Sequence, residues 1–310
     1  MSRPDTKLPA MIGRPLAAAA LAALAAAAPA AAETFPFDGV ARDYELFVPA
    51  SARLPAPAMV ILHGGGGNPG QIRDHVDFDD LAAELGIVAV YPGAVDKLWN
   101  DGRVSPSLAD QQAQAGDDAG YIEALLDSLI AKGIVDPARV GVGGISNGGF
   151  MTLRLACAAP HRFAAFAVVA ANNAVGIECP GGAPVPMLFI HGTEDEWVPY
   201  RGGTIAPQVG ESRGTAYSAA DTTAAWAMRN GCGAPALVAS WNERPLDGTS
   251  VAIYDYAGCR AALRHIIVEG GGHTWPGARA GLLGLVVGRS SREIDANQAI
   301  WAFVSAQFRR

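Results

Sequence analysis

Short, almost continuously apolar segments recur along this chain and alternate with segments whose apolar residues follow a helical spacing. The strand-like segments are residues 58–63, 87–91, 139–143, 166–170 and 187–191, and the helical ones between them are 78–85, 120–131 and 148–158. Strands buried on both faces of a parallel sheet have such sequences, and each parallel pair needs a crossover connection. The alternation predicts an α/β fold with a doubly wound, mostly parallel sheet and helices on both faces.

Weaker patterns flank this region. Residues 42–48 predict an early, antiparallel edge strand, and residues 251–254 and 265–268 predict two late strands. A Gly/Ser/Thr-rich stretch after Trp197 is a candidate for a cap or substrate-facing loop. A helix at 221–230 follows it, and residues 293–308 predict a closing amphipathic helix. No repeat or linker divides the chain, so we expect a single domain over residues 33–310.

The first 32 residues have the pattern of a secretory signal. Basic residues precede an apolar Ala/Leu run at 16–28, and small residues at 29–32 offer a cleavage site before Glu33. A membrane anchor is the alternative, but the run is short and rich in alanine for a bilayer span of about 20 apolar residues. We expect residues 1–32 to be cleaved and the protein to be secreted or periplasmic.

The charge balance excludes some classes of partner. The formal net charge is −7, and it becomes more negative without the signal, which contains three basic residues and one acidic residue. No Lys/Arg cluster interrupts this acidic chain. We therefore expect neither nucleic acid nor, after signal cleavage, a membrane as partner.

Four cysteines in an exported chain suggest two disulfides, and sequence alone allows three pairings. The sequential pairing, Cys157 with Cys179 and Cys232 with Cys259, is preferred because each pair brackets a compact segment. A metal site is the competing interpretation, but the spacings lack any C-x-x-C motif.

A G-x-S-x-G motif, residues 144–148, follows a predicted strand and opens a predicted helix. That setting is typical of a nucleophile elbow, in which Ser146 would occupy a strained turn that only glycines can flank. The alternative is a glycine-rich loop that happens to contain serine.

A second glycine motif argues against that alternative. His63 is followed by four glycines directly after an early strand, where such a loop donates N–H groups to an oxyanion hole. A phosphate-binding loop would carry Lys-Ser/Thr after the glycines, and this one does not. We take the N–H groups of Gly65 and Asn147 as the donors, with that of Gly64 as a further candidate.

An acid and a base should follow the serine in that order along the chain. Asp195 follows the strand that ends at His191, and His273 lies in a glycine-rich loop after the last strand. Glu194 and Glu196 are rivals for the acid, and spacing alone does not exclude them. Among the other histidines, His63 and His191 are expected to bind loop backbone, because each ends a strand beside a glycine. In the resulting mechanism His273 deprotonates Ser146, Asp195 orients the imidazole, and no cofactor or metal is needed.

With these motifs the chain resembles the secreted polyhydroxybutyrate depolymerase and feruloyl esterase group of α/β-hydrolase serine esterases. The matching segments are residues 62–66, 99–100, 117–122, 144–149, 191–195, 198–200, 230–232 and 272–277. The resemblance implies an α/β-hydrolase fold and hydrolysis of hydroxyalkanoate oligomers or hydroxycinnamoyl and polysaccharide esters, and it favours Asp195 as the acid.

Two departures limit what the resemblance implies. Gly65 stands where many relatives carry Cys or another small residue, and we expect no C-terminal polymer-binding domain after the closing helix. Oligomers or soluble esters are therefore the expected substrates.

Tryptophans near the predicted site are candidates for an aromatic substrate wall, as the resemblance suggests. Trp275 adjoins the base, Trp197 adjoins the acid, and Trp99 follows the second strand, with core packing as the alternative for each.

Two other functions compete with that of a serine esterase. A serine peptidase of the same fold would be expected to carry a domain or carboxylate pair for the peptide amino terminus. A catalytically silent binding protein would usually have lost one of the three catalytic residues.

Overall fold

The computed structural model describes residues 33–179, 182–210, 212–279 and 287–308. The predicted signal segment lies outside the described residues. Strands occupy β1 (Glu33–Phe37), β2 (Val40–Phe47), β3 (Ala56–Leu62), β4 (Val88–Pro92), β5 (Val135–Ile145), β6 (Ala165–Val169), β7 (Met187–Gly192), β8 (Gly203–Thr204), β9 (Thr215–Ala216), β10 (Pro235–Trp241), β11 (Ser250–Tyr256) and β12 (Leu263–Glu269).

Within these residues ten strands form one sheet, in the order β1-β2-β4-β3-β5-β6-β7-β12-β11-β10. Neighbours from β4 to β12 pair in parallel, so the carboxyl ends of β3, β5, β7 and β12 lie at one edge. Both flanks are antiparallel. The predicted doubly wound, mostly parallel sheet is confirmed. The prediction of β2 as the edge strand is wrong, because β1 pairs along its outer side.

Helices cover both faces of the sheet. They are α1 (Pro69–Val76), α2 (Phe78–Leu85), α3 (Ala109–Ala115), α4 (Asp118–Ala131), α5 (Asn147–Ala158), α6 (Ala219–Asn230) and α7 (Ala296–Ser305). Side chains alternate along β3, so Val60 and Leu62 pack on the face that holds α4, α5 and α6, while Ile61 packs on the face that holds α1, α2 and α7. The closing helix begins later than predicted because Asp295 caps it, accepting a hydrogen bond from Gln298 N at 3.1 Å, and it ends at Ser305.

Both predicted disulfides are formed. Cys157, near the end of α5, is bonded to Cys179, and Cys232, just after α6, is bonded to Cys259 beyond β11. The second disulfide joins the loops at the ends of α6 and β11, on the half of the sheet that carries β12. In the described part of the chain, no helix has the length and apolar character needed to cross a membrane.

Candidate active site

Ser146 occupies the sharp turn between β5 and α5. Its backbone has φ 57° and ψ −122°, a conformation that L-residues rarely adopt, and its N–H donates to Val169 O at 3.0 Å. The flanking glycines permit this turn. A Cβ on Gly148 would lie 2.3 Å from Leu62 O, and one on Gly144 would lie 2.5 Å from the carbonyl carbon of Gly148. The sequence therefore holds Ser146 at the carboxyl end of β5, at the start of a helix.

The glycine loop after β3 lies against this turn. A Cβ on Gly64 would stand 3.5 Å from the Ser146 Cβ, and one on Gly65 would stand 3.6 Å from the Asn147 Cβ. Gly66 N donates to Lys97 O at 2.8 Å, whereas among the described residues no hydrogen bond uses the N–H of Gly64 or Gly65. Asn147 is the first residue of α5, so its N–H also has no acceptor within the helix. The predicted oxyanion donors are thus brought together beside Ser146.

The Asn147 side chain ties the start of α5 to the segment after β4. Its Oδ1 accepts from Trp99 N at 2.8 Å, and its Nδ2 donates to Trp99 O at 3.1 Å and to Asp101 Oδ2 at 2.6 Å. Asp101 is buried and pairs with Arg103 at 2.8 Å. Asp101 and Arg103 are not among the site residues predicted from the sequence. Only their place directly after the Trp-Asn pair of the resemblance was a signal for them.

His63 is a structural residue of the glycine loop, as predicted. Its Nδ1 lies 2.8 Å from Gly64 O, and its Nε2 accepts from Ala94 N at 3.1 Å, which assigns the proton to Nδ1. Burial lowers the pKa of His63 to about 4. The ring is therefore neutral near pH 7 and keeps both of these contacts.

Two of the three predicted aromatic wall residues are in the core. Trp99 is 0% and Trp275 is 1% exposed. Each indole N–H is already bonded, that of Trp99 to His63 O at 2.9 Å and that of Trp275 to Asn297 Oδ1 at 3.0 Å. The prediction of a substrate wall is therefore wrong for Trp99 and Trp275. Both rings are packed in the core, where each indole N–H has a hydrogen-bond partner. Trp197 is only partly buried, and its ring stacks on that of His273 with centroids 6.1 Å apart.

His273 and Asp195 are in direct contact although 78 residues separate them. His273 Nδ1 lies 2.8 Å from Asp195 Oδ2, and the Asp195 side chain is fully buried. The rival Glu194 instead pairs with Arg289 at 2.7 Å on the surface, and Glu196 is exposed. Geometry thus brings the imidazole to Asp195 and to neither glutamate.

The Asp195 carboxyl stays ionised in spite of its burial. Burial raises its pKa, but the charge of His273 and the hydrogen bonds from His191 and His273 lower it by more. The pKa of Asp195 is held well below its usual range. An ionised carboxylate at Nδ1 fixes the tautomer of His273 that leaves Nε2 free to act as a base.

Close backbone approach positions the acid turn against the base loop. Thr193 N donates to Val268 O at 3.0 Å, and Glu194 N donates to Gly271 O at 2.8 Å. A Cβ on Gly192 would lie 2.3 Å from Gly271 O, so only glycine fits there. The turn after β7 and the loop after β12 are therefore held together by their own backbones.

Comparisons with known proteins agree with this geometry. Residues 86–223 match the family model described as Phospholipase/Carboxylesterase. The protein named Putative esterase NocK, from Nocardia uniformis subsp. tsuyamanensis, is 31% identical over 268 residues, covering 83% of this chain and 77% of that protein. Feruloyl esterase B from Piromyces equi is 27% identical over 70% of this chain, which spans 39% of that longer relative.

A solved structure shares the fold. The acetyl xylan esterase from Aspergillus awamori superposes with a TM-score of 0.50 at 20% identity, over 75% of this chain and 89% of that one. At that identity the likeness concerns the fold alone. Together with the sequence relatives, it shows that the chain belongs to the α/β-hydrolase esterase family.

Proposed function

We propose that this protein is an exported serine esterase that cleaves carboxylic esters with Ser146 as nucleophile, His273 as base and Asp195 as acid. The observation that carries the proposal is the contact of 2.8 Å between His273 Nδ1 and the buried Asp195 carboxylate. A neutral histidine bound in this way has its Nε2 lone pair available, at the same sheet edge as the strained turn that presents Ser146.

The mechanism follows from these parts. His273 Nε2 takes the proton of Ser146 Oγ while the oxygen attacks the ester carbonyl carbon. The N–H groups of Gly65 and Asn147, with Gly64 beside them, stabilise the tetrahedral oxyanion. Collapse expels the alcohol, which takes the proton from His273, and leaves an acyl-enzyme. Water then attacks the acyl carbon while His273 takes its proton. Collapse of this second tetrahedral intermediate breaks the bond to Ser146 Oγ, which takes the proton back from His273, and the carboxylic acid leaves.

The substrates we propose are hydroxycinnamoyl or polysaccharide esters and hydroxyalkanoate oligomers. A feruloyl esterase among the relatives supports the first class. The partly buried ring of Trp197 stacks beside His273, and an aromatic ring next to the proposed base favours a phenolic or acyl group in the substrate.

Export rests on different observations. The apolar run within residues 1–32 favours a cleaved signal, after which residues 33–310 act as one catalytic domain. Two disulfides favour an oxidising compartment. Amino-terminal sequencing of protein recovered outside the cytoplasm tests this part of the proposal, with Glu33 as the expected first residue.

Hydrolysis assays with Ser146→Ala test the chemistry. The substrates are short p-nitrophenyl esters, methyl ferulate and hydroxybutyrate oligomers, and Ser305→Ala, a half-buried position on α7, is the matched control. We expect Ser146→Ala to lose about three orders of magnitude in kcat and Ser305→Ala to lose none. The ranking of the substrates then selects the class. Equal activity of Ser146→Ala and wild type, or no activity of either, would overturn the proposal.

A further inference from the structure

A second histidine contacts the carboxylate of Asp195. His191 is the fifth residue of β7, and only 2% of it is exposed. Its Nε2 lies 3.1 Å from Asp195 Oδ2 and 2.9 Å from Val198 O. Because both neighbours of Nε2 are oxygen acceptors, this nitrogen carries a proton and donates to them. His191 therefore cannot accept a proton at Nε2, and its role differs from that of His273.

The contacts of Asp195 show what this donor adds. Oδ1 accepts from the N–H groups of Trp197 and Val198, each at 2.9 Å, and these belong to the same turn as Asp195. Oδ2 accepts from His273 and His191. Of these four donors, His191 is the one on a central strand of the sheet. It joins the acid turn to that strand, and it holds the oxygen to which His273 binds.

The His191 ring is itself fixed on its other sides. Its Nδ1 lies 3.2 Å from the side-chain oxygen Oδ1 of Asn172, and the ring of Tyr200 meets it edge-on with centroids 5.5 Å apart. Because both of its nitrogens are held, the His191 ring has little freedom to rotate, and it therefore fixes the position of the Asp195 carboxylate.

We propose that His191 is a positioning residue for the acid: its Nε2–H holds Oδ2 of Asp195 in the orientation that His273 requires. The inference rests on the proposed function, because it assigns a role within the same triad. His191 acts only through Asp195 and touches no reacting atom.

A neighbouring histidine supplies a matched control. His265 lies on β12, is 5% exposed and stacks on the ring of Tyr200, with centroids 6.1 Å apart. Among the described residues its Nε2 has no hydrogen-bond partner, and no hydrogen bond or ring contact joins His265 to Ser146, Asp195 or His273. Among the described residues, Asp195, Tyr200 and His265 are the ionisable groups that contact His191 or act on it electrostatically, and His273 binds the same oxygen of Asp195.

The test compares His191→Leu, His191→Gln and His265→Leu on a p-nitrophenyl ester, with active sites counted by the burst of p-nitrophenol. His191→Leu removes a hydrogen bond to a charged group, so we expect kcat to fall about tenfold or more with little change in KM. Loss of that donor leaves more negative charge on Oδ2, which stabilises the protonated form of His273. The acidic limb of the kcat/KM profile should therefore move to higher pH.

The conservative variant separates positioning from packing. The side-chain amide that His191→Gln introduces can place an N–H near the position of Nε2, so this variant should restore most of kcat and the wild-type pH midpoint. His265→Leu should leave kcat and midpoint unchanged. An unshifted midpoint in His191→Leu, or equal losses in His191→Leu and His265→Leu, would overturn the proposal. Active Ser146→Ala would instead overturn the proposed function, so the two failures are distinguishable. If His191→Leu does not fold, the comparison of His191→Gln with wild type decides, since the same midpoint is required.

Discussion

Replacement of Asn147 by alanine is expected to lower both stability and catalysis, through the same three hydrogen bonds. The side chain bonds both backbone groups of Trp99 and the carboxylate of Asp101. All of these groups are buried, and water cannot replace the lost partner without a change in packing. The variant Asn147→Ala therefore leaves a donor, an acceptor and a charged oxygen without this partner.

The magnitude follows from the bonds lost. The two neutral bonds contribute about 1 kcal/mol each and the bond to the carboxylate about 1.5–3 kcal/mol. The free energy of unfolding should therefore decrease by about 4 kcal/mol. For a domain of this size 1 kcal/mol shifts Tm by about 2–4 °C, which predicts a decrease of about 10 °C. Since the same bonds hold Asn147 beside Gly65, we also expect kcat to fall about tenfold, less than when an oxyanion donor is lost outright.

Asn230 provides the control for the catalytic part. It is fully buried on α6, where its Oδ1 accepts from Val185 N at 2.9 Å and its Nδ2 donates to Val185 O at 2.7 Å and Ala261 O at 3.1 Å. Asn230→Ala removes a similar set of bonds, so its Tm should also fall by several degrees. Its contacts lie outside the proposed site, so kcat per active site should stay at the wild-type value.

The assay combines thermal unfolding with steady-state hydrolysis of a p-nitrophenyl ester at a temperature where both variants are folded. The reasoning is refuted if Asn147→Ala keeps the wild-type kcat per active site while its Tm falls like that of Asn230→Ala. It is also refuted if Asn147→Ala keeps the wild-type Tm, because the three bonds would then contribute nothing measurable.

Two further predictions concern the glycines and the buried histidines. Gly192→Ala should reduce both Tm and kcat, because its Cβ would meet Gly271 O at 2.3 Å and displace the base loop. Gly182→Ala, whose Cβ would meet no atom of the described residues within 4 Å, should change neither, and equal Tm and kcat in the two variants would contradict this. Burial lowers the folded-state pKa of His63 to about 4 and of His265 to about 3, below the unfolded value of 6.5, so the unfolded chain binds protons first as pH falls. The free energy of unfolding should therefore decrease below about pH 6.5, by at most about 1.4 kcal/mol per pH unit and histidine, and His265→Gln should flatten that slope in urea titrations; a slope unchanged by His265→Gln would count against the argument.

Much of the fold was predictable because its signals are local. The parallel strands β3, β4, β6 and β7 were identified to within two residues at each end, since strands buried on both faces are apolar throughout. Strand β10 was missed for the opposite reason. It is the outermost strand, with Leu237 and Val238 more than half exposed, so neither face imposes an apolar pattern. The short helix α1 was missed because only three of its residues are buried.

The residues of the candidate site were likewise predictable only where their sequence signal is local. The elbow glycines around Ser146 and the histidine of the glycine loop carry signals in their immediate neighbours, because the constraint on each is a turn or a close backbone approach. The aromatic residues carry no such signal. Trp99 and Trp275 are apolar and near glycines in the sequence, as a substrate wall would be, yet both rings are packed inside.

By itself the sequence determined the α/β alternation and the two glycine motifs, because each depends on residues within a few positions of one another. It also placed a candidate acid and a candidate base after the serine along the chain. Residue spacing left three adjacent carboxylates open and only the resemblance favoured Asp195, so the tertiary structure decided which of them meets His273, because folding selects the one that points inward. It also decided the burial of Trp99 and the second histidine contact of Asp195. These are contacts between different elements, which form only when the sheet brings the ends of separate strands to one edge.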